Sequence, residues 1–213
     1  MKLTIKGHEG TVITKVLNKG YKVLGQLPGE ECGIELLDLY AEEERDILFQ
    51  VNCLSFVPGS SKEQSHNIKI SLEYFNVIDA EDCNEEVEIL NMYPSDCPQN
   101  EKISLQLERL KVAQAMEKGY LLAEQGKLME AKMVLEETRE RVTTSRNPYT
   151  DMLTEELDDC IFDMNEQTSE RGMKKMMSKA TSHNMQRCVN VSKPSGNMYE
   201  NQTKVKFKKN FMK

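Results

Sequence analysis

The chain lacks any run of apolar residues approaching the roughly 18 to 20 that a membrane span needs, and Met1-Lys2-Leu3-Thr4-Ile5-Lys6-Gly7 lacks the apolar core of a signal peptide. These absences predict a cytoplasmic or nuclear protein with no transmembrane segment. Six cysteines, at 32, 53, 83, 97, 160 and 188, form no CxxC pair and have no companion histidines at zinc-ligand spacing, so they are expected to be free thiols. His8, His66 and His183 stand apart in sequence, with no Ser, Cys or Asp at a recognisable motif distance. Any catalytic triad would have to assemble through tertiary structure. No catalytic, cofactor-binding or metal-ligating residue is therefore assigned, and the expectation is a protein that is not an enzyme. Asn190-Val191-Ser192 and Asn201-Gln202-Thr203 match the glycosylation acceptor pattern, but without a signal peptide they read as chance matches.

What is present is a globular composition: 38% hydrophobic and 30% charged residues over 213 positions, above the low hydrophobicity of a wholly disordered chain. That length holds one large domain or two small ones, and two units are expected. The formal charge of -7 is unevenly spread: residues 1–100 carry -10, residues 101–170 carry -7 and residues 171–213 carry +10. A basic end on an acidic body either folds back on that body or attracts phosphate-rich partners such as nucleic acid or anionic lipid.

Period-two alternation is clearest in Asn67–Tyr74, where Ile68, Ile70, Leu72 and Tyr74 alternate with polar residues. Ile47, Phe49, Val51 and Cys53 alternate across Asp46–Leu54, and Pro58-Gly59-Ser60-Ser61-Lys62 between the two segments predicts an antiparallel hairpin. Thr11–Leu17, Tyr21–Leu24, Gly33–Leu37 and Glu86–Leu90 are shorter strand candidates, and about six such strands suggest a sandwich. Met1–Gly7 is left as a segment whose pairing partner would be absent if the chain is a fragment, an unpaired edge.

Beyond the linker Asp96-Cys97-Pro98-Gln99-Asn100 the apolar period changes to about 3.6. Leu105, Val112, Met116, Gly119, Tyr120 and Ala123 share one helical face, which Gly126 is placed to stop, and Ala131, Val134, Leu135, Thr138 and Val142 form a second stripe. Asn147-Pro148 predicts the start of a third helix carrying Tyr149, Leu153, Leu157, Cys160, Ile161 and Met164. After Gly172 the pattern decays into scattered methionines, and the last twenty or so residues are expected to be disordered.

Four constellations carry possible chemistry. Gly119, Leu122, Gly126, Ala131 and Leu135 have the flavour of a tetratricopeptide unit, but one copy cannot bury a solenoid's faces, so an ordinary helical hairpin is expected. Glu42, Glu43 and Glu44 with Asp38 and Asp46 lack the glycine and ligand spacing of a calcium loop and read as a solvated acidic turn. Met173, Met176, Met177 and Met185 suit either an adaptable binding face or loose helix packing. In the tail, Lys204, Lys206, Lys208 and Lys209 alternate with Val205, Phe207 and Phe211. That pattern fits base stacking with phosphate neutralisation, anionic membrane contact, a strand added to a partner's sheet edge, or a solvated terminus.

The run Asp38-Leu39-Tyr40-Ala41-Glu42-Glu43-Glu44-Arg45-Asp46, entered through Gly33-Ile34-Glu35-Leu36-Leu37 and leaving into Ile47-Leu48, resembles the Vwaint segment of intracellular proteins that contain a von Willebrand factor A domain. The helices around Ala113, Gly119, Gly126 and Ala131 are similar to that family's C-terminal helical portion, so the resemblance spans roughly residues 10 to 190. Members commonly join this region to an A domain and a RING or U-box module and act in ubiquitin transfer. This sequence has neither a cysteine–histidine array for RING zincs nor the DxSxS metal motif of an A domain, so neither activity carries over. The resemblance implies the accessory half, with a protein partner, a separately supplied A domain among the candidates, and a truncated or split gene product.

The resulting expectation is an α+β chain: a β-sandwich-like region over residues 1–95, a helical hairpin or three-helix segment over 101–188, and a disordered basic tail over 189–213. Its function is expected to be non-catalytic protein interaction, accessory to substrate recognition by a ubiquitin ligase. The alternative is nucleic-acid or anionic-lipid binding through the tail, and a third reading is an enzyme whose site assembles in the β half around His8 and His66.

Overall fold

The computed structural model describes residues 1–8, 10–40, 43–53, 66–91, 100–145, 150–165 and 169–186. The chain is α+β and divides into two compact units, Met1–Ala41 with Ile47–Pro98, and Glu42–Asp46 with Gln99–Lys213. The expected tail, residues 189–213, lies outside the described residues, as do the turn at 58–62, the linker at 96–99 and Asn147-Pro148.

The described elements of the first unit are all antiparallel strands: β1 (Lys2–Gly7), β2 (Thr11–Val16), β3 (Lys22–Leu24), β4 (Glu31–Glu35), β5 (Phe49–Cys53), β6 (His66–Asn76) and β7 (Glu81–Asn91). Five of them form a sheet in the order β3-β4-β1-β6-β7, and β2 pairs with β5 in a second sheet of two. Alternation explains the layering. Ile5, Cys32, Ile34 and Ile68 on the large sheet meet Ile13 on the small one as a fully or nearly buried cluster, with Val16, Phe49 and Val51 packed against it. This is the sandwich-like arrangement the alternating segments implied.

Three expectations are corrected. Met1–Gly7 is no unpaired edge: β1 is the middle strand, with Leu3 opposite Ile34 on one side and Leu72 on the other. Its apolar positions, Leu3 and Ile5, alternate with Lys2, Thr4 and Lys6, which gives one face for the core and one for water. The 46–54 and 67–74 segments do not form a hairpin together; β5 pairs with β2, while β6 turns tightly into β7 over eleven aligned positions. That turn is fixed by Asn76, whose side chain accepts from the Ile78 backbone amide at 3.0 Å and donates to Asp79 at 2.6 Å. The third correction concerns Glu86–Leu90, part of a strand twice that length. Acidic residues are depleted in strands, which hid it.

Among the described residues the second unit contains four helices, α1 (Glu101–Glu124), α2 (Leu128–Thr144), α3 (Thr150–Asn165) and α4 (Ser169–Met185). Asn100 caps α1 by accepting from the Lys102 and Ile103 amides. Its far end closes as a Schellman turn, with Lys127 N–H on the Leu122 carbonyl, Gly126 N–H on the Ala123 carbonyl, and Gly126 at φ +77°. Each helix packs on its sequence neighbour, and α4 returns to α1, closing a ring around Val112, Met116, Leu135, Leu153, Leu157 and Met176. The expected decay after Gly172 is therefore a fourth helix. Its buried positions are Met176, Ala180, Ser182, His183 and Asn184, and three of the five are polar and so escape an apolar-period reading.

Two glycines should respond oppositely to alanine. A Cβ on Gly7 would lie 2.2 Å from the Thr11 carbonyl oxygen, a backbone atom that moves only if a strand moves. A Cβ on Gly119 would meet Leu135 and Met176 at 3.5 Å, an ordinary contact. Gly7→Ala is expected to cost about 1–3 kcal/mol, whereas Gly119→Ala leaves stability unchanged or raises it by up to about 1 kcal/mol through helix propensity; urea-denaturation midpoints of the two variants provide the check.

Candidate functional site

Reactive chemistry was expected, if anywhere, near the histidines. His8 is half-buried after β1, where its carbonyl accepts from Thr11 N–H, and the side chain of His66 lies outside the described residues. His183 does assemble with other titratable groups. Its ring contacts Glu156 Oε2 at 2.5 Å, and the preceding turns of α4 continue the pattern against α3: Lys179 to Asp159 at 3.1 Å and Lys175 to Asp163 at 2.8 Å. The spacing 156, 159, 163 on one helix matches 183, 179, 175 on its antiparallel neighbour, so three ion-pair partners stack along one seam. Asn184 extends the seam to α1 by donating to Glu117 at 3.0 Å.

Cys160 sits beside this ladder, which places a thiol, a histidine and a carboxylate on adjacent turns. Burial decides against nucleophilic chemistry there. The thiol is pushed up to about 11 by desolvation, so at neutral pH it is protonated and weakly reactive, and His183 is only 1% exposed. Glu156 behaves differently: burial raises its carboxyl, but the hydrogen bond from His183, the His183 charge and Lys179 together outweigh burial and hold it below its ordinary value. The ladder is an alignment device for α3 and α4. Among the described residues no group of three His, Cys, Asp or Glu side chains could hold a metal, and Cys32, Cys83 and Cys160 are free.

The Asp38–Asp46 run divides between the two units. Asp38, Leu39 and Tyr40 are exposed, while Ala41 and Glu42 lie outside the described residues. Glu43–Asp46 belong with the helices, and the expectation of a solvated acidic turn is corrected there for Glu43, while Glu44 is exposed as expected. The Glu43 and Arg45 side chains pair at 3.2 Å and are almost wholly buried. Lys102 of α1 reaches Glu44 at 2.8 Å and Asp46 at 3.0 Å, and Gln186 bonds Asp46 through its backbone amide and side chain. An acid of such a run can be buried when an arginine within the run supplies the counter-charge.

A groove of about 270 Å³ lies between α1 and α2, with Lys111, Lys118 and Arg141 facing Glu108 and Glu137. No histidine, cysteine or serine lines it. The scattered methionines are part packing, part surface: Met176 is in the core and Met177 is exposed.

Among the described residues, β7, the outer strand of the β6–β7 hairpin, has one side unpaired. β7 closes the sheet order, so among the described residues β6 is its only strand neighbour. Val87 is 59% exposed, Phe75 56%, Val77 82% and Ile78 93%, and Ile89 is also exposed. Val87 stands opposite Ile70, itself opposite Ile5, which is opposite Cys32. One row of side chains thus runs from a fully buried core to open solvent without changing face. An edge of unpaired backbone beside exposed apolar side chains is the usual ground for recruiting another chain. The sequence signal for it was Val87 and Ile89 alternating with acids, read only as a short strand.

The polar ladder gives two expected outcomes. Glu156 titrates below its usual 4.5 in the folded chain, so its contribution to stability is present above that value and is lost as pH falls through the lowered one. The stability gap between the native chain and Glu156→Gln, measured by denaturation at successive pH values, should shrink below about pH 4.5. Cys160 should resist alkylation at pH 7 until the chain is unfolded; labelling followed by mass spectrometry measures it.

No protein-family model matches this chain, and no curated protein or solved structure matches it.

Proposed function

We propose that the chain is a non-catalytic protein-interaction module, the accessory counterpart of the C-terminal part of von Willebrand A domain proteins, working in substrate recognition beside a ubiquitin ligase. The single observation that carries the interaction reading is the exposed apolar stripe on a sheet edge that no further strand among the described residues pairs, Val87 and Ile89 on β7 with Val77 and Ile78 at the hairpin tip. Side chains of that size exposed together bring no stability to the monomer, and a partner that covers them gains about 25 cal/mol for each Å² of apolar area. The buried Cys160 and the sealed His183 support the non-catalytic half of the reading. The ubiquitin-pathway setting rests on the Asp38–Asp46 resemblance alone.

The test is affinity capture from cell extract with four baits: the full chain, a chain ending at Cys188, and full chains carrying Val87→Lys or Ile78→Lys. The expected result is one partner retained by the first two and lost, or weakened severalfold, by the lysine variants. Retention by the full chain alone, falling steeply between low and physiological salt, would assign function to the basic tail and a phosphate-rich ligand instead.

A further inference from the structure

We propose that the free edge of β7 takes an extended segment of a partner protein in which Lys or Arg alternates with apolar residues, added as a sixth strand of the sheet. This rests on the interaction reading above and names the chemistry of what is bound. β7 has eleven residues, long enough for several backbone hydrogen bonds to an added strand, whereas the opposite edge, β3, has three. On the core-facing side an added strand would place its apolar residues beside Val87 and Ile89, continuing the rows Cys32–Ile5–Ile70–Val87 and Gly7–Ile68–Ile89.

The outer face selects the charge. Glu31, Lys6, Lys69 and Glu88 form one row across the sheet, and Gly33, Thr4, Ser71 and Glu86 form the next. Both rows therefore end on an acid at the open edge. Glu81–Asn91 has Asp82, Glu86 and Glu88 on this outer face, Glu81 and Glu85 on the face of Val87 and Ile89, and no basic residue. Among the described residues only Glu86 of these is in a salt bridge, to Lys69 at 2.9 Å. Opposite charges facing across strands stabilise pairing and like charges oppose it. A basic segment is thus favoured over an acidic one, and also over β7 of a second copy, whose five acids would meet these. Acids on an edge also serve to prevent aggregation, and the two roles differ in what they bind.

The experiment titrates a fluorescent nine-residue peptide alternating lysine with valine and phenylalanine onto the full chain, followed by anisotropy. Controls are the same peptide with glutamate for lysine, and two lysine peptides N-methylated at alternate residues in opposite phases. The lysine peptide should bind and the glutamate peptide should not. One methylated phase should abolish binding and the other preserve it, because an edge strand uses only every second amide of its neighbour. The double variant Glu86→Lys/Glu88→Lys, with circular dichroism to show that it folds, should weaken binding about tenfold. Equal binding of both methylated peptides, or of native and double-variant chains, would overturn the proposal, since lysines would then be held by diffuse charge. A chain that dimerises through this edge, with the dimer changed by the double variant, would overturn it in favour of a second copy. Should the peptide fail while Val87→Lys still loses the captured partner, the strand chemistry falls and the interaction reading stands; should neither respond, both fall.

Discussion

The extent of the five-stranded sheet relative to the two strands that cover it sets what the first unit can bury. Eleven residues of strand extend about 36 Å at about 3.3 Å per residue, while the covering strands β2 and β5 have six and five residues. The small sheet seals β4, β1 and the near side of β6, which is why Ile5, Cys32 and Ile34 are fully buried. Beyond its reach the same face continues through Ile70 to Val87 and out into water. Val87 and Ile89 share rows with buried Ile5 and Gly7, so their exposure follows from a cover two strands wide over a sheet of five, and the length of the hairpin carries its tip, held by Asn76, past the end of β1.

The helical unit solves a different problem. Four helices in a ring need a register as well as an apolar seam, because leucines and methionines alone tolerate sliding. Between α3 and α4 the register is set by Glu156, Asp159 and Asp163 against His183, Lys179 and Lys175. Between α2 and α3, Arg139 grips both oxygens of Asp158. Charged groups here do positional work, and the burial of Cys160 beside them is what keeps its thiol protonated. The same logic places Glu43 and Arg45, which are buried as a pair, while Lys102 at the start of α1 holds Glu44 and Asp46 nearer the surface.

Much of the fold was legible because it follows local periodicity. Alternation located β2, β3, β4, β5 and the core of β6, and the 3.6-residue stripes located α1, α2 and α3, with Gly126 ending α1 where its positive φ is required. The misses share a cause. Glu81–Asn91 and Ser169–Met185 bury or expose residues against their type: acids fill a strand, and His183 and Asn184 fill a helix core because Glu156 and Glu117 satisfy them. A pattern that scores only apolar residues cannot see a polar group whose partner lies 27 or 67 residues away.

By itself the sequence determined the α+β class, the change of apolar period near residue 100, the stripes that become the two cores and the acidic character of β7, since each depends on the order of neighbouring residues. Which strands pair, that β1 lies at the centre, that α4 closes the ring, and that Val87 and Ile89 end up uncovered were decided only by tertiary structure. Pairing is a competition among distant segments for the same apolar face and the same backbone hydrogen bonds, and its outcome depends on lengths and registers that no local window contains.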